Sequence, residues 1–281
     1  MAETYRKGKS ALAAAGNESP AFDAACLFQK VFGYNRQELA VHDGEPAQEP
    51  KIGEYTALIE ERAQGRPLQY ILGKWPFMEL ELLVGEGVLI PREETELLVR
   101  TAAELLKGKE NPEILDLCSG TGAVALGLAS LFPNAPICAA ELYDGAFSYL
   151  QKNIIETGFR NVKPVRLDVL HPGTEEFPPL DCIVSNPPYV TADEMKTLQA
   201  EVKHEPRTAL EGGADGLVFY RAIADLWLPK LKPGGIAAVE VGDKQAAKVA
   251  SFFRDAGLGQ IRVEKDFNGI DRVVAGVREK D

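Results

Sequence analysis

The sequence predicts an α/β fold, in which a mostly parallel sheet with helices on both faces follows a small helical domain. Short apolar runs alternate with helical patterns from about residue 114 onward, and such alternation is typical of parallel sheets. Over the N-terminal quarter, apolar positions follow helical spacing instead. Between these regions the period changes to the alternation of a strand. The 281 residues are enough for two domains.

The N-terminal region, residues 1–75, contains two predicted helices and no strand. Ser19-Pro20 has the pattern of an N-cap followed by proline, the run 21–32 has helical apolar spacing, and Gly33 can end the helix. A second helix is predicted at about 50–64. We therefore expect a small helical domain here.

A β-hairpin is predicted at residues 76–92, where it links the two domains. Alternation begins at Pro76, and two glycines then precede a second apolar run at 88–90. One side of the predicted strand carries Met78, Leu80, Leu82 and Val84. Such alternation followed by glycines is typical of a strand and turn.

Residues 93–281 are predicted to form the larger domain. It begins with a helix at about 94–107 and continues with seven strand-like runs, most of them separated by helical patterns. The runs are 114–118, 137–140, 162–167, 182–185, 236–241, 260–265 and 272–277. We expect these runs to form the sheet.

Composition and charge exclude several classes of protein. Hydrophobic residues make up 45% and charged residues 26% of the chain, as in ordinary globular proteins and unlike disordered or fibrous ones. The formal net charge of −11 repels phosphate on average, so nucleic acid is not expected as a direct substrate. The four cysteines and three histidines are scattered, which indicates neither a disulfide framework nor a metal site. With no signal peptide or membrane-spanning run in sight, we expect a monomeric cytoplasmic protein.

A turn of small residues follows the first strand of the predicted sheet. Cys118, Ser119, Gly120, Thr121 and Gly122 come directly after it and open a helix. Ligands of open α/β sheets bind beyond the carboxyl ends of the strands, and glycines there let a ligand approach the backbone. The turn therefore predicts a nucleotide-binding loop.

Acidic residues end the next two strands. Glu141 is placed to accept hydrogen bonds from both hydroxyls of a ribose, and Asp168 with Val169 could line an adenine pocket. The alternative without a ligand is that these acidic residues are solvent-facing side chains at strand ends. The run 120–125 also fits the G-x-G-x-x-A form of a dinucleotide fingerprint, so the turn alone does not choose the cofactor.

The tetrapeptide Asn186-Pro187-Pro188-Tyr189 follows the fourth strand. Its two prolines stiffen the loop and leave the carbonyl of Pro187 free to accept, while Asn186 adds a side-chain oxygen. Two fixed oxygens can hold both hydrogens of an NH₂ group and aim its lone pair at an electrophilic methyl group. Tyr189 can cover the planar acceptor with its ring. These hydrogen bonds would strengthen in the transition state, so no strong base is required.

At this point the chain resembles the class I methyltransferases with their Rossmann-like seven-stranded sheet, and more narrowly the release factor glutamine methyltransferases. The specific part lies in the runs 66–73 and 88–96, which look like linker signatures of that family, together with the tetrapeptide 186–189. Two departures are Cys118, where the family usually has glycine, and Glu93, where it usually has proline. Neither change removes a group that the chemistry needs.

The resemblance implies a methyl transfer from S-adenosylmethionine to the glutamine side chain in the Gly-Gly-Gln loop of peptide chain release factors. By resemblance, residues 118–122, Glu141, Val169 and Asn186 bind the cofactor, 186–189 grip the glutamine, and the helical domain helps to engage the release factor. Arg92, Glu94, Thr95 and Glu96 could contact cofactor or substrate, or merely cap and solvate a helix start.

Other functions remain open from the sequence. The same tetrapeptide could grip a flipped base for methylation of an exocyclic amino group. A nicotinamide-dependent dehydrogenase would suit the loop but leave the tetrapeptide without a role, and a non-catalytic scaffold could keep the fold.

Overall fold

A computed structural model of the chain describes residues 1–174, 176–199 and 201–279. By their internal contacts they fall into two compact units. The first is Met1–Lys74 together with Gln199–His204, and the second is Trp75–Leu198 together with the chain from Glu205 onward. The sequence patterns did not indicate that the segment Gln199–His204 groups with the helices. The predicted division at residues 75 and 92 stays a prediction.

The described residues of the first unit form five α-helices: α1 (Ala2–Ala14), α2 (Pro20–Phe32), α3 (Arg36–Val41), α4 (Glu49–Ala63) and α5 (Leu68–Leu72). The two predicted helices correspond to α2 and α4, and α2 ends at Gly33 with the expected left-handed φ of 82°. Sequence patterns missed α1 because it buries little more than Gly8 and Leu12. The other two are too short for a periodic signal.

Aromatic residues and one buried ion pair hold the helical unit together. The ring of Phe28 stacks on Phe32 at 4.3 Å between centroids and meets Tyr55 edge-on at 5.5 Å. Arg62 Nε donates to Asp23 Oδ2 at 2.7 Å, and both side chains are 6% exposed. Arg62 also pairs with Glu201 of the returning segment. A buried charge without its partner is costly, so these contacts fix where the segment packs within its unit.

The hairpin consists of β1 (Lys74–Phe77) and β2 (Leu80–Leu83), which pair with each other. The continuous strand predicted from Pro76 to Val84 is therefore wrong, because Met78 lies at the turn with a left-handed φ of 51°. The predicted strand at 88–90 is also absent, and this stretch has no regular structure.

The second unit contains a seven-stranded sheet, which confirms the predicted fold class. Its strands are β3 (Ile114–Leu117), β4 (Ile137–Glu141), β5 (Val162–Arg166), β6 (Leu180–Ser185), β7 (Leu231–Glu240), β8 (Leu258–Lys265) and β9 (Asp271–Arg278). The spatial order is β5-β4-β3-β6-β7-β9-β8, with the first five strands parallel and β9 antiparallel to both of its neighbours.

Helices cover both faces of this sheet. They are α6 (Thr95–Leu105), α7 (Ala123–Leu131), α8 (Asp144–Thr157), α9 (Val218–Ala222) and α10 (Ala246–Asp255), and a π-helical turn (Ile223–Trp227) follows α9. Single 3₁₀ turns of this unit lie at Glu194–Lys196, Arg207–Ala209 and Leu228–Lys230, whereas the one at Val202–His204 belongs to the first unit. One apolar core contains Leu98 and Leu126, and a second contains Trp227 and Phe253.

The carboxyl ends of the central strands lie side by side. Leu117 at the end of β3 is in register with Ala140 of β4 and with Ser185 of β6. Because the chain order reverses on either side of β3, this edge is a topological switch point, where ligands of open α/β sheets bind. No helix in the described part of the chain has the length and apolar character to cross a membrane.

Candidate functional site

A cavity opens at the carboxyl ends of β3, β4, β5 and β6, and we call it the strand-end cavity. It brings together most of the residues that sequence patterns had singled out. Among its lining residues are Cys118, Ser119, Gly120, Thr121, Glu141, Asp168, Val169, Asn186 and Pro188. Gly122, Pro187 and Tyr189 are not among them. Their predicted contacts with cofactor or substrate stay predictions.

The turn after β3 owes its shape to left-handed residues. Gly120 has a φ of 56°, and a Cβ placed there would have its nearest neighbour, Val88 Cγ2, at 4.0 Å. At Gly122, with a φ of 86°, a Cβ would lie 2.7 Å from Leu150 Cδ1. Gly120 thus borders open space, as a ligand-facing position should, whereas Gly122 is required by packing against α8.

Cys118 also lies in the left-handed region, with a φ of 60°. Glycine would adopt this conformation without strain, so the cysteine costs about 1 kcal/mol of backbone energy. Burial raises the pKa of its thiol well above the ordinary value, and the neighbouring carboxylates of Glu141 and Asp116 raise it further. A protonated thiol is a poor nucleophile, so Cys118 acts as a small lining residue.

Asp116, the third residue of β3, forms hydrogen bonds that hold the turn. It is fully buried, and its Oδ2 accepts from Ser119 Oγ at 2.8 Å and from the N–H of Ala125 at 3.2 Å. Its Oδ1 is buried without a hydrogen-bond partner among the described residues. Burial raises the pKa of Asp116 to about 7. The carboxyl group therefore connects the turn to the start of α7 at a cost in desolvation.

Glu141 ends β4 with its side chain turned toward the turn. Its Oε2 accepts from the N–H of Gly120 at 2.9 Å, and its Oε1 accepts from the N–H groups of Leu142 and Tyr143 at 2.8 and 2.9 Å. A carboxylate has about four acceptor positions, so three are used by backbone. One remains for a ligand hydroxyl, and a second ligand bond would replace a backbone one.

Asp168 and Val169 follow β5 and form another wall. Asp168 Oδ1 accepts from the N–H of Leu170 at 2.8 Å, and Oδ2 lies 3.0 Å from His171 Nδ1. Although partial burial raises the pKa of Asp168, these hydrogen bonds hold it below its ordinary value. Val169 is 4% exposed, and its carbonyl accepts from Trp227 Nε1 at 2.9 Å. The wall is thus a fixed carboxylate beside an apolar surface.

Asn186 is held by a neighbour from the start of α6. Its Nδ2 donates to Thr95 Oγ1 at 3.1 Å, and Thr95 Oγ1 donates to Glu240 Oε2 at 2.6 Å. Glu240 is 1% exposed, at the end of β7. Burial raises the pKa of Glu240, against the opposing effects of Thr95 and the charge of Arg272. The amide nitrogen of Asn186 is thereby occupied, and its oxygen is the free end.

Tyr189 does not line the strand-end cavity. Its hydroxyl donates to Glu240 Oε1 at 3.3 Å, and its carbonyl accepts from Gln245 Nε2 at 3.0 Å. Burial and the carboxylate of Glu240 raise its pKa, so the phenol stays protonated. The ring packs on the apolar core that contains Trp227.

The four undecided residues at the start of α6 divide into two pairs. Arg92 and Thr95 line the strand-end cavity, whereas Glu94 and Glu96 do not. Glu96 accepts from the N–H of Met78 at 2.8 Å and pairs with Arg100, which is a structural role. Arg92 pairs with the buried Glu205, whose Oε2 also accepts from the N–H of Ile90 at 2.9 Å.

Sequence reasoning missed Glu240 and Glu205. Glu240 had a usable signal, because it is the single charged residue in the apolar run 236–241. Glu205 had none, since it lies in an irregular stretch more than a hundred residues from its partners.

The strand-end cavity as a whole offers a carboxylate beside a glycine turn, an apolar wall and an oriented amide oxygen. This combination suits a nucleoside-like ligand and an NH₂-bearing acceptor.

Comparison with known proteins extends these observations. Residues 3–73 match the family model described as PrmC N-terminal domain, and residues 93–223 match the methyltransferase small domain. The catalytic domain of hMettl16, solved in complex with an RNA hairpin of the MAT2A 3′UTR, superposes with a TM-score of 0.59 at 16% identity. That likeness covers 83% of this chain and 84% of the solved one, and it supports the fold alone.

Proteins found by sequence comparison are more similar to this chain than that structure is. A release factor glutamine methyltransferase of Geobacter sulfurreducens is 38% identical over 267 residues, covering 94% of this chain and 92% of the relative. One of Caulobacter vibrioides is 33% identical over 285 residues, covering 99% and 96%. Identity at this level over nearly the full length of both proteins is sufficient to assign a family, and the chain belongs to the release factor glutamine methyltransferases.

Proposed function

We propose that this chain transfers the methyl group of S-adenosylmethionine to the side-chain amide nitrogen, N5, of the glutamine in the Gly-Gly-Gln loop of peptide chain release factors. Family membership supports the reaction class. The observation that carries the proposal is the state of Asn186, whose amide nitrogen is bonded to Thr95 so that its oxygen is left for an acceptor NH₂. Asn186 lines the same cavity as the glycine turn and Glu141.

The lining residues fit S-adenosylmethionine. Gly120 leaves space beside the turn, and Glu141 retains one acceptor position for a ribose hydroxyl. Val169 and Leu170 offer an apolar surface suited to an adenine ring, beside the carboxylate of Asp168. In this assignment residues 118–121, Glu141, Asp168, Val169 and Asn186 hold the cofactor.

The chain itself supplies orientation more than acid–base chemistry. Bound S-adenosylmethionine supplies an electrophilic methyl group. The Asn186 oxygen and the Pro187 carbonyl would accept the two N–H bonds of the glutamine amide and turn its lone pair toward that methyl group. An amide nitrogen is a weak nucleophile, so bonds that strengthen as it pyramidalises lower the barrier. After transfer the nitrogen loses its extra proton to water.

The helical unit is proposed to help bind the release factor. Residues 3–73 match the PrmC N-terminal domain model, which supports a role for this unit in engaging the release factor. We further propose that the protein acts as a monomer in the cytoplasm, and that nucleic acid is not its direct substrate.

The proposal is tested by methyl transfer from labelled S-adenosylmethionine to purified release factor. Parallel reactions contain a release factor with the loop glutamine changed to alanine, bulk DNA and bulk RNA. Label on the release factor that disappears with the glutamine supports the proposal. Label on nucleic acid alone would refute the choice of acceptor.

Asn186→Ala tests the assigned site in the same assay. We expect a loss of about 100-fold to 1000-fold in kcat, because an oriented acceptor of hydrogen bonds is removed. Asn268→Ala in the exposed β8–β9 turn is the matched control and should retain activity within about twofold, as surface substitutions do. Equal activity of the two variants would contradict the role of Asn186.

A further inference from the structure

Three buried or half-buried side chains form a continuous hydrogen-bonded chain that ends at the strand-end cavity. Glu240 at the end of β7 is 1% exposed and Thr95 is 3% exposed. Thr95 Oγ1 lies 2.6 Å from Glu240 Oε2 and 3.1 Å from Asn186 Nδ2. These residues are far apart in sequence and meet only because α6, β6 and β7 converge at this edge of the sheet.

The direction of each hydrogen bond follows from what the groups can donate. A carboxylate only accepts, so the hydroxyl hydrogen of Thr95 must point to Glu240. Thr95 then has only lone pairs to offer to Asn186, and these require the NH₂ end of the amide. The reversed amide would set the oxygen of Asn186 against the oxygen of Thr95 with no hydrogen between them.

Both carboxyl oxygens of Glu240 face hydroxyl donors, since Oε2 accepts from Thr95 at 2.6 Å and Oε1 accepts from Tyr189 at 3.3 Å. Two facing donors suit the carboxylate form, in which Thr95 has to donate to Glu240. The hydroxyl of Tyr220 donates to the Glu240 carbonyl at 2.9 Å and fixes the backbone at this point. Since Thr95 and Glu240 are both buried, water has little access to compete for these bonds.

We propose that Thr95 and Glu240 are positioning residues that set the amide orientation of Asn186, so that its Oδ1 and not its NH₂ faces the methyl acceptor. This inference rests on the proposed function. An amide turned the other way would present two N–H donors to the NH₂ of the substrate, and donors do not bind donors. The orientation therefore decides whether the side chain of Asn186 can hold one of the two N–H bonds of the acceptor.

Thr95→Val and Thr95→Ser test the inference as a matched pair. Valine keeps the branched shape and removes the hydroxyl, whereas serine keeps the hydroxyl. We expect Thr95→Val to lower kcat for release factor at least about tenfold, and Thr95→Ser to restore most of it. Thr95→Val with the kcat of the wild type would overturn the inference.

A double-mutant cycle separates positioning from general damage. If Thr95 acts through Asn186, then adding Thr95→Val to Asn186→Ala lowers the residual label transfer no further. The same fold loss in both backgrounds would show that Thr95 acts by another route.

Hydrogen exchange tests the orientation in the unmodified protein, whether or not the valine variant folds. The Nδ2 hydrogen of Asn186 that is bonded to Thr95 should exchange with deuterium more slowly than the side-chain amide of the exposed Asn268, as followed by NMR. Equal exchange rates would overturn the inference. A wild-type protein that transfers no methyl group to release factor would instead refute the proposed function and leave this measurement standing.

Discussion

Replacing Gly122 by alanine should destabilise the second unit by roughly 2–5 kcal/mol. The φ of 86° costs an alanine about 1–2 kcal/mol, because its Cβ crowds the backbone in the left-handed region. The same Cβ would lie 2.7 Å from Leu150 Cδ1 and 3.2 Å from Leu126 Cδ1. Both leucines are fully buried, so neither has free space to move into, and overpacking adds about 1–3 kcal/mol.

Gly158→Ala is the matched control for this prediction. Gly158 ends α8 in the same unit with a φ of 72°, but a Cβ there would meet nothing within 4 Å. It should show the backbone cost alone, so the two variants differ by about 1–3 kcal/mol. Urea unfolding followed by circular dichroism gives both values from the midpoint and slope. Equal midpoints would refute the packing argument. Gly122→Ala should also weaken binding of S-adenosylmethionine, because Thr121 beside it lines the cavity.

Two further predictions concern buried titratable groups. Burial raises the pKa of Asp116 to about 7. The stabilisation that its protonated form gives the folded state is therefore complete below pH 3.8 and is lost as the pH rises through about 7. This loss in the free energy of unfolding approaches about 4 kcal/mol. The urea midpoint of Asp116→Asn should therefore fall less between about pH 5 and pH 8 than the midpoint of the wild type, and parallel curves would contradict this. For Cys118, whose thiol pKa burial raises, we expect alkylation by iodoacetamide in the folded protein to be at least about tenfold slower than in urea, as measured by mass spectrometry. Similar rates would show that the thiolate is accessible.

The residues whose place in the fold could be predicted from sequence patterns are those that follow strands. The turn 118–122, Glu141, Asp168 and Asn186 each come directly after a recognisable apolar run, and parallel strands bring their carboxyl ends to one edge. Local sequence was enough to predict that these residues lie close together, because the parallel sheet brings them to one edge. The same local logic placed α2 and its terminal Gly33.

What could not be predicted depends on contacts between distant parts of the chain. Thr95 and Glu240 are separated by 145 residues, and their hydrogen bond has no local pattern. The turn at Met78 could not be predicted because methionine rarely adopts a positive φ, and the apolar alternation continues on both sides of it. Tyr189 was expected over the acceptor, and only the tertiary structure shows its hydroxyl on Glu240.

The return of Gln199–His204 to the helical unit has a consequence for protein engineering. A unit built from two separate stretches of chain cannot be removed by one cut. A fragment that starts at Trp75 would still carry Glu201 while lacking Arg62, its buried counter-ion, together with Asp23. The helical unit is therefore not a detachable module, and an exchange of this unit has to carry both stretches together.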